Sequence, residues 1–522
     1  MAASADIVET VKQGYAFTGP ALELGCLLVD DKPVVDAQVR VPLGMLNRHG
    51  LVAGATGTGK TKTLQVMAEQ LSTNGVPVFM ADIKGDLSGV SQPGVANDKL
   101  TARTQSIGQN WEGQGFPVEY LSLGGQGNGV PVRATITSFG PTLLAKVLDL
   151  NETQTSSLAL VFHFADSAGL ALLDLKDLRA VIQYLVSDEG QADLTGLGGL
   201  SKATAGVILR ELIAFSDAGA EVFFGEPEFN TKDLLRNAPD GRGIITCLEL
   251  PSVQDKPALF STFLLWMLAD LFHDLPEAGD LDKPKLVFFF DEAHLLFKDA
   301  SKAFLDQITQ TVRLIRSKAV GVFFVTQNPK DVNDDVLAQL GNRVQHALRA
   351  YTPDDAKALK AAASTFPNSS YDLEELLTQL GIGEAIITVL SDRGAPTPVA
   401  WTRLRAPQSL MAPAPDEAIT AIVNASPLKP EYGQEIDRES AYERLQAKLA
   451  TPPSAAGRAA ASGGGAASRG PAPAPRQAPA ADQGPGIVGE VVHSSAFKSF
   501  LRSAGTVLGR EITRSIFGTA KR

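Results

Sequence analysis

The sequence predicts an α/β fold in which a mainly parallel β-sheet is covered by helices. Three observations carry that reading. Short apolar runs recur along the chain and alternate with helical stretches, the pattern of parallel strands joined by crossover helices. One of these runs, His49–Ala53, leads directly into a glycine-rich loop and then a helical pattern, Lys62–Leu71. Another, Leu286–Phe290, ends in two adjacent acids, Asp291 and Glu292.

Residues 1–47 hold two β-like runs, Leu22–Val29 and Val34–Val41, around the turn residues Asp30–Pro33, and predict an N-terminal β-hairpin segment. The α/β pattern occupies residues 48–405. Its expected strands are Gly50–Ala53, Val76–Ala81, Pro117–Leu121, Gly243–Leu248, Leu286–Phe290, Val320–Val325, Val344–Leu348 and Ala385–Leu390. Between about 140 and 235 the strand signals stop. Thr142–Asp149, Thr153–Ala165, Leu175–Ser187 and Lys202–Phe215 read there as amphipathic helices, a helical insertion in the α/β domain. Residues 406–450 read as a C-terminal helical arm. Residues 451–486 are almost entirely Ala, Gly, Pro and Ser, which cannot form a packed core, and predict a disordered linker. In 487–522, Phe497, Leu501, Ala504, Leu508, Ile512 and Ile516 fall on one helical face. Lys498, Arg502, Arg510, Arg514, Lys521 and Arg522 outnumber Glu490 and Glu511, so this is a basic amphipathic tail helix.

Composition narrows the class. The apolar share of 44% and charged share of 20% are those of a globular protein with material for a sizeable core. Two cysteines, Cys26 and Cys247, are too few for a disulfide framework or a zinc ribbon and read as reduced thiols. The N-terminus has no basic and apolar leader pattern, and no stretch reaches the ~20 apolar residues of a spanning helix. A cytoplasmic location is expected. The net charge of −11 argues against wholesale coating of nucleic acid, though not against a local basic surface such as the lining of a ring's pore.

The chemistry lies in four segments. Gly54, Ala55, Thr56, Gly57, Thr58, Gly59, Lys60 and Thr61 match G-x-x-x-x-G-K-[ST] between a strand and a helix. Glycines let such a loop curl so that backbone N–H groups and the helix N-terminus cradle phosphates. Lys60 is expected to reach the β- and γ-phosphates of ATP and Thr61 to hold Mg2+, with Lys62 completing the nucleotide-binding set. In the second segment Asp291 is placed to bind the magnesium shell and Glu292 to polarise the attacking water. His294, just beyond them, reads as a structural or supporting residue. The third segment is the strand Gly321–Val325 running into Thr326, Gln327, Asn328 and Pro329; Gln327 is a candidate sensor of the γ-phosphate, against the plainer reading of a turn before a proline. Before it, Arg313, Arg316 and Lys318 end a helix. An arginine there is a candidate finger into a neighbouring subunit's site, against ordinary positive charge at a helix C-terminus. Arg313 and Arg316 are both candidates there, and Arg343 is a rival. In the fourth segment Asp82 ends a strand, followed by Lys84 and Asp86, at the edge where ligands collect in open α/β sheets.

These segments, in this order, resemble the HerA-FtsK superfamily of ring-forming P-loop ATPases, and most closely its HerA-like, YjgR-type bacterial branch. Residues 46–54, 279–291 and 339–349 look characteristic of that branch, and the resemblance spans roughly 15–405. It implies a RecA-like core, a homo-hexamer, and ATP-driven pumping or unwinding of DNA. It also implies the roles given to Lys60, Thr61, Asp291, Glu292 and Gln327, and Arg316 as the finger acting in trans. HerA proper carries an N-terminal β-barrel, and residues 1–47 are short for one. The resemblance thus supports ATPase chemistry better than DNA translocation, and the leading expectation is a hexameric HerA-like, DNA-stimulated ATPase acting as a DNA translocase or helicase. Its rival is an ATP-switched assembly or remodelling ATPase that never moves DNA. The basic tail is a candidate contact with a partner protein or an acidic membrane surface, or packs on the protein's own body.

Overall fold

The computed structural model describes residues 2–450, apart from 195, 280 and 299. The linker at 451–486 and the tail helix at 487–522 lie outside the described residues. By contacts the chain divides into two compact units: one of residues 1–134, 143–151 and 213–436, the other of 135–142, 152–212 and the chain from 437.

The first unit is built on one twelve-stranded sheet. Its strands are β1 (Ala21–Val29), β2 (Lys32–Pro42), β3 (Gly50–Ala53), β4 (Val78–Asp82), β5 (Val118–Leu123), β6 (Val130–Val132), β7 (Ile245–Glu249), β8 (Leu286–Phe290), β9 (Val320–Thr326), β10 (Asn342–Gln345), β11 (Glu384–Thr388) and β12 (Ala400–Leu404). They stand in the order β2-β1-β12-β11-β10-β3-β9-β8-β4-β7-β5-β6. The eight strands from β10 to β6 run parallel, and β11, β12, β1 and β2 extend them as an antiparallel flank. The parallel strands read as unbroken apolar runs because helices cover both faces.

Phe288, Phe289 and Phe290 are each at most 2% exposed. Phe289 meets Phe323 of β9 at 5.3 Å and Phe288 meets Phe79 of β4 at 5.0 Å between ring centres. These contacts fix the strand that carries the two acids. Phe289→Ala should cost about 3–5 kcal/mol of stability, read from urea unfolding. A loss below about 1 kcal/mol would mean that the sheet does not depend on this packing.

The sequence expectations differ from the structure in places with identifiable causes. The N-terminal hairpin is present as β1 and β2, but a helix, Ala2–Gly14, precedes it and buries Val11. That stretch reads as mixed and charged because only part of each helical turn is covered. Two strands were not anticipated. β6 is three residues long with Pro131 at its centre, and β12 alternates buried Ala400, Thr402 and Leu404 with half-exposed Trp401 and Arg403. In the insertion the first helix begins at Ile136 and is kinked at Gly140 and Pro141. Helices follow at Glu152–Ser167, Leu175–Leu185 and Lys202–Asp217. Residues 406–450 are not one body: 406–436 belong to the first unit and 437–450 to the second.

Candidate functional site

The site forms where the parallel strands end. The loop after β3 enters the helix Lys60–Thr73. Its curl needs glycine: Gly54 sits at φ 153°, and a Cβ there would come 2.5 Å from the Cβ of His346. That close approach comes from β10. His346 N–H donates to Ala53 O (2.7 Å), Ala55 N–H donates to Ala347 O (2.8 Å), and the His346 ring lies 2.9 Å from Thr63 Oγ1. Burial, then the charge of Lys60, pushes the His346 imidazole down to about 3, so it is neutral under the loop. The Ala55 N–H is thus engaged within the protein.

Lys60 is 8% exposed and folds over its own loop, Nζ donating to Gly54 O (2.7 Å) and Ala55 O (3.3 Å). Burial lowers its pKa; Glu292 and Asp291 act against that. Lys62 turns aside to Gln65 Oε1 (2.9 Å). Thr61 is half-buried in the first helical turn.

β9 lies between β3 and β8, so the residue after β9 stands between the loop and the acids. That residue is Gln327, whose Nε2 donates to Glu292 Oε2 (3.4 Å). The turn carrying it is held by Asp331, which accepts from Thr326 Oγ1 (2.9 Å) and from Asn328 N–H (2.9 Å). Asp291 is 5% exposed, and burial, then the neighbouring Glu292, pushes its carboxyl up to about 7. Glu292 adopts φ 48°, a strained conformation for a non-glycine residue, of the kind found where a side chain is aimed for function. Burial alone would raise its pKa. His294 and Lys84 outweigh that and hold it at about 2, so Glu292 is ionised at neutral pH.

Lys84 is the partner that sequence reasoning missed. It forms an ion pair with Glu292 across neighbouring strands. Asp82 presents it: the buried carboxylate accepts from Gly85 N–H (2.7 Å) and Leu87 N–H (2.8 Å), fixing the turn on which Lys84 sits. Glu249, at the end of β7, is paired in register with Asp82. Burial raises both pKa values, helped by the charge of Asp86 at Asp82 and by that of Asp82 at Glu249. Asp82 was placed at this edge by the sequence; only the pairing of β4 with β8 and β7 links Lys84 to Glu292 and Asp82 to Glu249. Lys84→Ala should let the Glu292 pKa rise, because a largely buried carboxylate loses its main cation. The acid limb of the pH–kcat profile should then move to higher pH; an unchanged limb would show that Lys84 does not govern this group.

Among the described residues no group of three or more His, Cys, Asp or Glu side chains is placed to hold a metal ion. That suits magnesium, which takes one or two protein oxygens and completes its shell with phosphate and water. Half-buried Thr61 and the buried carboxylate of Asp291 are the residues that could hold it.

The finger candidates are elsewhere. Arg313 and Arg316 are exposed at the end of the helix Lys302–Ile315, just before β9 begins. The loop follows the opposite ends of these strands, so Arg316 is separated from its own loop by the seven residues of β9, roughly 20 Å. Arg343 is half-buried on β10 and donates to Thr365 O (3.2 Å).

The model of the family described as Helicase HerA-like C-terminal matches residues 28–522. This chain belongs to that family. Over 364 residues it is 22% identical to the DNA double-strand break repair helicase HerA of Sulfurisphaera tokodaii, covering 67% of this chain and 64% of that protein. It is 33% identical over 153 residues to a probable helicase of Methanocaldococcus jannaschii, covering 27% of this chain and 28% of that one. Among solved structures, the bacterial conjugative coupling protein TrwB superposes with a TM-score of 0.51 at 16% identity, over 78% of this chain and 94% of that one. The same score relates this chain to TrwB in complex with a non-hydrolysable ATP analogue. The likeness is one of fold, an α/β domain on a large, mostly parallel sheet. No helix among the described residues is long and apolar enough to cross a membrane.

Proposed function

We propose that this HerA-like chain hydrolyses ATP with magnesium, assembles as a homo-hexameric ring, and uses the cycle to move along or unwind DNA. The observation that carries the hydrolytic part is the convergence on Glu292. One ionised carboxylate is held by Lys84, His294 and Gln327 beside the loop that bears Lys60.

The residues divide the work. Lys60 exchanges its two carbonyl contacts for β- and γ-phosphate oxygens, which are stronger acceptors for an ammonium. Thr61 and Asp291 would hold magnesium, which when bound would neutralise charge on the phosphates. Glu292, with its low pKa, orients the attacking water and need not remove its proton early. That suffices for a loose phosphoryl-transfer transition state. Gln327 touches Glu292 and is placed to register the γ-phosphate. Arg316 lies too far from its own loop and serves a neighbour's site in the ring.

The DNA part is supported by the family and by the helicase descriptions of the relatives. The test is steady-state ATP hydrolysis by the full chain with and without single- and double-stranded DNA. Stimulation by either DNA is expected; a rate indifferent to both would sink the motor and leave an assembly or remodelling ATPase. Chelating magnesium with EDTA should abolish hydrolysis, with activity restored by excess Mg2+. Full activity in EDTA would remove Thr61 and Asp291 from the metal role.

A further inference from the structure

We propose that Ile382 is the platform on which the nucleobase of the bound nucleotide rests. This deepens the ATPase reading above and depends on it. The order of strands gives the direction. The γ end of a triphosphate must face Glu292, which follows β8 on one side of β3. The nucleoside end then leaves the loop on the other side of β3, where β10 and β11 stand.

The turn that opens β11 is fastened to the phosphate loop there. Gly383 N–H donates to Thr58 O (2.9 Å), and Glu384 N–H closes the turn on Gly381 O (3.0 Å). Arg103 binds the same turn from outside, donating to Ile382 O (3.3 Å) and Gly383 O (2.5 Å). Gly383 is at φ 73°, a backbone conformation that favours glycine. These bonds fix the backbone of Ile382 on both sides, yet the residue is 77% exposed.

A lone exposed isoleucine is ordinary. One displayed at the tip of a pinned turn, hydrogen-bonded to the phosphate loop on its nucleoside side, is a preformed apolar seat. Its branched aliphatic face offers contact area and no donor or acceptor. It therefore takes the flat face of a purine by burial and dispersion. Ile382 adds affinity without telling adenine from guanine.

The test compares equilibrium binding of ATP and of inorganic tripolyphosphate, which keeps the phosphate chain and lacks the base. It uses the full-length wild type, Ile382→Ala and Ile382→Leu with magnesium present. Ile382→Ala should weaken ATP on the order of tenfold and leave tripolyphosphate unchanged. Ile382→Leu should bind both as wild type does. The exposed position leaves folding intact, which far-UV circular dichroism verifies. Unchanged ATP affinity in Ile382→Ala, or an equal loss for both ligands, overturns the platform alone. A wild type that binds neither ligand overturns the ATPase reading and the platform with it.

Discussion

Glu292→Gln should lower kcat on the order of 100- to 1,000-fold, about 3–4 kcal/mol, while ATP affinity stays within about threefold. The substitution keeps volume and shape in a site where the side chain is only 7% exposed, so the strand end and its turn persist. What is lost is the negative charge that orients water. Lys84 loses its partner at little cost, because its side chain is 44% exposed and can be solvated. Such a split, with binding kept and turnover lost, marks a group acting in the transition state and not in the ground state. A kcat within about tenfold of wild type would assign the water to another group.

Lys60→Ala should have the larger effect on kcat/KM, on the order of 1,000-fold or more, with weakened nucleotide binding measured directly. Lys60 brings an ammonium over the loop carbonyls, and it does so from a nearly buried position where charge is poorly screened. Lys60→Arg should not rescue, because a planar guanidinium cannot occupy the point where one Nζ reaches both Gly54 O and Ala55 O. Hydrolysis by Lys60→Ala at a wild-type kcat/KM would refute the phosphate role.

Much of this site was legible in the sequence where the signal is local. The loop at residues 54–61 and the acids at 291 and 292 are contiguous, and strand, loop and helix lie within about twenty residues of each other. The eight parallel-core and β11 strands that were anticipated are likewise continuous apolar runs. What escaped depends on pairing across long chain separations. Nothing beside Lys84 in sequence announces Glu292, and nothing beside His346 announces Gly54; both follow from the order in which strands were laid down. Ala55 shows the converse. Its place in the motif put it in the nucleotide-binding set, and only the structure shows its N–H donating to Ala347 O at the end of β10. The N-terminal helix and β12 were missed because each is covered only in part, which blurs the apolar periodicity.

The position of β3 has a consequence for how the protein is made on the ribosome. Its two neighbours in the sheet are β9 and β10, which begin at residues 320 and 342. A nascent chain that has emitted its phosphate loop must wait on the order of tens of seconds for the strands that flank it. During that interval the glycine-rich segment has no sheet to end and no His346 beneath it. Nucleotide capture is therefore a late event in the birth of the molecule. Bound ATP would seal a fold whose distant halves have already met, and its cellular concentration would bear on the yield of finished chains.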